Sequence, residues 1–259
     1  MDSHFETIRR AVEEERPVVA ATVIGGAGEL GRRLIVFEDG ATEGSLDNPV
    51  FEAQVRRDAL AALRRGASRR MSYPRDGDET VDVFYDVYPA PPTLLIFGGV
   101  HVGIPLARFA KQMGFRVRVI DARGRFANAE RFPDADEIVI KYADEYLADA
   151  RVDSSTYVVV LSHDPKLDDP ALIDVLRRPA RYIGAIGSRT TNQKRRARLK
   201  EAGLPDELID RIHAPIGLDI GAETPEEIAL AIMGEMIAAK NGRDDRPLPS
   251  QSAETAAAV

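Results

Sequence analysis

Hydrophobic positions recur along this chain in two rhythms, and the change between them falls at Pro89-Ala90-Pro91-Pro92. Before that stretch the pattern is mixed. Phe5, Ile8 and Val12 recur at helical spacing until Pro17 ends the helix. Val18 to Ile24 is rich in β-branched residues and reads as a strand. A Gly25-Gly26-Ala27-Gly28 loop follows, then a strand from Arg32 to Phe37 that closes on the Glu38-Asp39-Gly40 turn. Pro49 opens a helix to about Arg65, with proline in the first turn and Gly66 just past the end. Strands around Ser68 to Tyr73 and Val81 to Tyr88 complete this part. The proline-rich stretch is stiff and cannot continue a ladder, so it reads as a linker.

After the linker, short apolar runs alternate with helical segments. Thr93 to Phe97, Phe115 to Ile120, Glu137 to Ile140, Tyr157 to Leu161 and Tyr182 to Ile186 read as strands. Ile104 to Met113, Pro170 to Arg177 and Asn192 to Ala202 read as helices. Continuous apolar strands separated by helices imply a parallel sheet covered on both faces. The last strong element carries its own start signal: Thr224 caps, Pro225 suits the first helical position, and Glu227 completes a capping box. That helix runs through Ile228, Ile232 and Met236 to Lys240. The expected organisation is a small α+β domain over residues 1–88, a Rossmann-like doubly wound parallel sheet over 93–242, and a disordered tail over 243–259.

The junction after the first of these strands holds the densest chemistry. Gly98-Gly99-Val100-His101-Val102-Gly103 lies between strand and helix, and the next strand ends on Asp121. Strand, glycine turn, helix, strand and terminal acid within about 30 residues form the opening unit of a dinucleotide-binding fold. Such a turn offers backbone N–H groups to a phosphate, and the acid accepts from a ribose. Gly98 fits the tight-turn glycine and Gly103 the one that lets helix and strand pack. Val100 stands where a glycine normally lets the pyrophosphate approach, and a valine there takes steric room and disfavours positive φ. Asp121 reads equally well as a strand-end acid bracing a local turn.

Three further sets fall at strand ends, the edge where open α/β sheets bind ligands. Ser162-His163-Asp164 offers a proton donor or ligand contact at His163, against the plainer reading of a loop histidine bonded to backbone. Gly187-Ser188-Arg189 could contact an oxyanion or phosphate, with Lys194 and Arg195 able to reinforce it. A solvated helix face is the plainer reading of that basic run. Gly217, Asp219, Gly221 and Glu223 precede the last helix, which they could simply stabilise.

Composition narrows the classes. The 259 residues are 44% hydrophobic and 30% charged, enough for one large or two modest domains. There is no cysteine, so disulfides, thiolate metal sites, cysteine nucleophiles and conventional iron–sulfur ligation are excluded. No metal site is expected. A net charge of -7 and the absence of tryptophan give no reason to expect nucleic acid. The sequence shows neither a signal-like leader nor a bilayer-spanning run, so the expectation is a cytoplasmic protein without a membrane partner.

Taken in order, Ile96-Phe97-Gly98, His101-Val102-Gly103, Asp121-Ala122-Arg123, Ser162-His163-Asp164, Ile183-Gly184-Ala185-Ile186-Gly187-Ser188-Arg189, Pro215-Ile216-Gly217-Leu218-Asp219-Ile220-Gly221 and Thr224-Pro225-Glu226-Glu227-Ile228-Ala229 resemble the XdhC/CoxI family. These are accessory proteins of xanthine dehydrogenase and aerobic CO dehydrogenase maturation. The resemblance covers Thr93 to about Lys240, and more loosely the smaller N-terminal part, where Glu43-Gly44-Ser45-Leu46 sits at the family's glycine-rich turn. It implies binding of molybdenum cofactor (molybdopterin), help in its sulfuration, and delivery to an apo molybdenum hydroxylase. Carried onto this sequence, the cofactor-binding residues are Gly98, Gly99, His101, Gly103, Asp121, Arg123, His163, Gly187, Ser188, Arg189 and Asp219. Two departures stand out: Val100 replaces the family's usual glycine, and the cysteines that members commonly carry near Val81-Asp82 and in the N-terminal glycine turn are absent.

Three readings follow. The first is a cofactor-handling accessory protein rather than a catalyst. The second is an NAD(P)-dependent oxidoreductase using Asp121 for the ribose and His163 as acid–base. The third is a Rossmann scaffold that has lost its ligand. A homodimer is left open.

Overall fold

The computed structural model describes residues 3–75 and 79–242, and the chain divides into two compact units, one ending at Pro91 and the other beginning at Pro92. The tail expected from Arg243 lies outside the described residues.

The first unit opens with α1 (Ser3–Glu13), followed by β1 (Val18–Gly26), β2 (Arg33–Phe37) and β3 (Thr42–Gly44). Next come α2 (Pro49–Arg65), β4 (Arg69–Pro74) and β5 (Thr80–Tyr88). The strands form one antiparallel sheet in the order β3-β2-β1-β5-β4. The expected signals at α2 operate as read. Asn48 caps it by accepting from the Phe51 N–H at 3.0 Å, and Gly66 closes it in the left-handed region at φ 67°. Alternation along β1 splits its core: Val19, Ala21 and Val23 share a cluster with Phe51, Val55 and Ala59 of α2, while Val18 and Ala20 share one with Ile8 and Ala11 of α1.

The second unit begins with β6 (Thr93–Phe97), α3 (Gly103–Gln112), β7 (Arg116–Ile120), β8 (Glu137–Val139) and α4 (Ala143–Leu147). It continues with β9 (Thr156–Val160), α5 (Pro165–Val175), β10 (Tyr182–Ala185), α6 (Arg189–Glu201), α7 (Asp206–Ile209), β11 (Ile212–His213) and α8 (Pro225–Lys240). All six strands are parallel, in the order β11-β10-β9-β6-β7-β8. Read from β8, this is the 3-2-1-4-5-6 order of a doubly wound nucleotide-binding sheet, with its switch point between β6 and β9. Successive residues of each strand face opposite layers. Leu94, Ile96, Val117, Val119 and Val159 join Leu106 of α3 and Ile232, Met233 and Met236 of α8. Leu95, Phe97, Ile120, Val158 and Val160 join Leu147, Leu172 and Leu199 of α4, α5 and α6.

Two helix starts differ from the expected ones. α5 begins at Pro165, not Pro170, because the Asp164 side chain caps it by accepting from the Lys166 N–H at 3.0 Å. Pro170 therefore sits inside the helix, where proline is unusual enough to read as a start. α6 begins at Arg189, not Asn192, with Ser188 accepting from the Thr191 N–H at 3.2 Å. β3, α4, α7 and β11 have two to five residues each, too few for a periodic signal. Among the described residues no helix is long and apolar enough to cross a membrane.

Candidate functional site

Because every strand of the second sheet is parallel, the segments after β6, β7, β9 and β10 emerge at one edge. That edge carries Gly98 and Gly99, then Asp121 and Arg123, then His163, then Gly187, Ser188 and Arg189. His101 is exposed just before α3, and Gly103 is the first residue of that helix. Asp219 is exposed in the loop between β11 and α8.

The glycine turn is built by close approach. Gly98 has φ 104°, and a Cβ there would stand 2.8 Å from the Ser162 nitrogen, so β6 and β9 can run this close only with glycine. At Gly99 a Cβ would lie 2.5 Å from the Phe126 carbonyl oxygen, since the segment after β7 folds onto the turn. Gly103 is less constrained, with its nearest neighbours, Phe132 and Ile96, at ordinary contact distance. Val100 is accommodated without strain: it has no positive φ, and it packs against the α3–α8 layer of the core. The steric conflict expected from the sequence is therefore absent from the turn's own backbone.

Asp121 is fully engaged within the protein. Its Oδ2 accepts from the Gly99 N–H at 2.9 Å and from Arg123 Nη2 at 2.9 Å. Its Oδ1 accepts from the Arg123 backbone N–H and Nε, each at 2.9 Å. Burial works to raise its pKa, but these donors outweigh it and hold the carboxyl below its ordinary value. Both oxygens are thus occupied by Gly99 and Arg123, the arrangement of a strand-end acid bracing a local turn. Arg123 also stacks on Phe126, with its guanidinium carbon 4.3 Å from the ring centroid, and Arg125 and Arg131 approach the same ring at 4.8 and 5.8 Å.

Beyond β9, His163 is exposed and holds a left-handed backbone at φ 61°, uncommon for a side chain with a Cβ. It links two residues that are tied down. The Ser162 hydroxyl donates to Asp168 Oδ1 and accepts from the Asp164 N–H at 3.1 Å. Asp168 lies 3.3 Å from Arg195 Nη2, and the two side chains are 2% and 3% exposed. Arg195 also donates to the Ile186 carbonyl at 2.9 Å and to Asn192 Oδ1, while Asn192 Nδ2 donates to the Gly187 carbonyl at 2.9 Å. One buried ion pair therefore ties the loop after β9 to the loop after β10. Arg195 is no solvated side chain, whereas Arg196 and Arg198 behave as ordinary surface cations paired with Asp206, Asp210 and Asp169. Sequence reasoning missed Asp168 and Asn192. A signal for Arg195 existed, because it sits four residues before Leu199 and so on the helix's buried stripe.

A second polar cluster anchors the loop that carries Asp219. Glu235 of α8 accepts from the Tyr182 hydroxyl and from the Gly217 N–H at 2.9 Å, and its Oε1 lies 3.4 Å from His213 Nδ1. The His213 ring lies against Tyr182 with centroids 4.6 Å apart. Among the described residues no group of three or more His, Asp or Glu is placed to hold a metal ion.

The same framework recurs in known proteins. Residues 94–236 match the model of the XdhC Rossmann domain, and residues 11–74 match that of the XdhC and CoxI family. The chain is 29% identical over 257 residues to the uncharacterized protein YqeB of Escherichia coli (strain K12), covering 92% of this chain and 46% of that protein. It is 31% identical over 160 residues to a probable xanthine dehydrogenase subunit of Bacillus subtilis (strain 168), covering 62% of this chain and 46% of that protein. Thus it spans about half the length of these two relatives. With the molybdenum cofactor insertion chaperone PaoD of Escherichia coli (strain K12) it shares 25% identity over 301 residues, covering 97% of this chain and 93% of that one. A crystal structure described as a xanthine dehydrogenase from Bacillus halodurans shares the fold, with a TM-score of 0.54 at 22% identity over 94% of this chain and 97% of that chain. Since the Rossmann-domain match alone spans more than half of the 259 residues, and the smaller match falls in the N-terminal unit, the protein belongs to the XdhC and CoxI family.

Proposed function

We propose that this chain is an accessory protein of molybdenum hydroxylase maturation. It binds molybdenum cofactor, or a nucleotide-bearing relative of it, at the carboxyl edge of the parallel sheet. It then delivers that cargo to an apo-hydroxylase of the xanthine or CO dehydrogenase type. The observation that carries this reading is the edge itself: the loops after β6, β9 and β10 assemble glycine backbone, His163 and Arg189 there, braced from beneath by the Asp168–Arg195 pair. Similarity to PaoD along nearly the whole of both chains supports it. The donor set fits an anionic pterin, since Arg189, Asn192 and Gln193 offer a cation and amides close together along α6.

With no cysteine, the chain has no thiol on which to carry sulfur. The proposal is therefore restricted to binding and delivery, and sulfuration needs a separate sulfur donor. Hydride transfer gains nothing from the geometry, because the acid it would use for the ribose is bonded to Gly99 and Arg123.

The test is co-production of an apo molybdenum hydroxylase with and without this chain, followed by metal analysis and turnover of the purified hydroxylase. Higher molybdenum occupancy and activity with the chain present are expected. Equal occupancy in both preparations would refute delivery.

A further inference from the structure

Two cavities along the sheet edge differ sharply in size. At the glycine turn, the space between Gly98, Ala122, Tyr142 and Ser162 measures about 20 Å³, room for roughly one water. Four donors of that turn are also occupied internally. Gly98 N–H donates to the Ile120 carbonyl, Gly99 N–H to Asp121, Val100 N–H to the Gly98 carbonyl and Gly103 N–H to the Val100 carbonyl, all at 2.9–3.0 Å. The cavity beside them has no room for a phosphate, and these four N–H groups are not open to one.

At the far side of the edge, α6, α7, β11 and Pro215 line an open cleft of about 370 Å³, a volume typical of small-molecule sites. One wall is polar, with Arg189, Asn192 and Arg195, and the other is apolar, with Ile209, Ile212 and Pro215. Among the described residues no carboxylate lines it. Arg196 also borders the space, but Asp206 and Asp210 neutralise it, each at 2.6 Å. The guanidinium of Arg189 has no partner among the described residues and stands at the first position of a 13-residue helix, where open N–H groups and the helix dipole favour an anion. Independently of that terminus, Arg195 lines the cavity almost completely buried, and its Nε lacks an acceptor among the described residues.

We propose that this cavity, and not the glycine turn, seats the phosphate of the protein's ligand. The ligand is an organic phosphate monoester or pyrophosphate, whose ring lies against Ile209, Ile212 and Pro215 while its phosphate meets Arg189 and the start of α6. The choice of ligand rests on the cofactor-handling reading; the charge and shape of the cavity do not. The phosphate site of the fold has thus moved from the first strand–helix junction to the one after β10.

The test titrates the full chain with a fluorescent ADP derivative and with pyrophosphate as competitor. Arg189→Ala should weaken nucleotide binding at least tenfold, about 1.4 kcal/mol. Gln193→Glu, which places a negative charge at the cavity, should weaken it further. Both side chains are exposed, so both variants keep the core, and unchanged melting curves verify this. Arg177→Ala, a charge-matched change at an exposed position beyond the end of α5, should stay within about twofold of the parent. No saturation by either probe below about 1 mM, or equal binding by the parent, Arg189→Ala and Gln193→Glu, would overturn the proposal. Lost nucleotide binding in Arg189→Ala with undiminished molybdenum delivery would uphold the phosphate site and refute its link to cofactor handling.

Discussion

Replacing Asp168 with asparagine removes one charge from beneath the sheet edge and leaves almost everything else in place. The volume is conserved, the asparagine carbonyl can still accept from Ser162, and Arg195 keeps the Ile186 carbonyl at 2.9 Å. What disappears is the counter-charge 3.3 Å from a guanidinium that is 3% exposed. Breaking a buried pair by removing one partner costs about 3–5 kcal/mol. The other acceptors of Arg195, the Ile186 carbonyl and Asn192 Oδ1, place this case near the lower end, about 3 kcal/mol. In a chain of this size each kcal/mol moves the melting midpoint roughly 2–4 °C, so Asp168→Asn should melt about 6–12 °C lower. The double variant Asp168→Leu with Arg195→Met should recover most of that loss, because removing both charges also removes both desolvation costs.

Calorimetry and far-UV circular dichroism are the suitable probes, since the chain has no tryptophan to report. A variant that melts within about 1 °C of the parent at neutral pH would refute the reasoning, because Arg195 would then have no need of its counter-charge.

Two other perturbations test the turn and the last helix. Val100→Gly should destabilise the protein by about 1–2 kcal/mol, through lost packing and added backbone freedom. It should leave nucleotide affinity unchanged, and tighter binding of the fluorescent ADP derivative by this variant would restore the steric block that the structure does not show. Burial raises the pKa of Glu235, but hydrogen bonds from His213, Tyr182 and Gly217 outweigh it and hold the value below the usual 4.5. A depressed folded pKa contributes stability above the ordinary value that is lost as pH falls through the folded one. Glu235→Gln should therefore be less stable at neutral pH and less sensitive to acid. Parallel melting-versus-pH profiles for the two proteins would rule this out.

The fold is legible where a local signal coincides with a global one. The apolar strands Thr93 to Phe97 and Tyr157 to Leu161 are buried on both faces, so their composition alone marks a parallel sheet. Proline and glycine at the ends of α2, and Thr224 with Glu227 at α8, set those boundaries by capping. The start of α5 is obscured because an interior Pro170 mimics a beginning. The candidate site divides in the same way. That Gly98, His163 and Arg189 share an edge follows from each standing at a strand's carboxyl end, which sequence order makes visible. That Asp121 is already engaged, or that Asp168 and Arg195 meet across 27 positions, depends on side-chain placement between elements and has no signature along the chain.

The position of α8 has a consequence for synthesis. This helix comes after every strand of its sheet, yet Ala229, Ile232, Met233 and Met236 belong to the same apolar layer as Leu94, Val117 and Tyr157. Between completion of β6 and completion of α8 the ribosome adds about 140 residues, roughly 7–30 s at ordinary rates of elongation. Throughout that interval the nascent sheet lacks part of the cover for one face. A pause or truncation before Pro225 would thus release a chain whose six strands are complete and whose valine- and leucine-rich surface is open to other nascent chains.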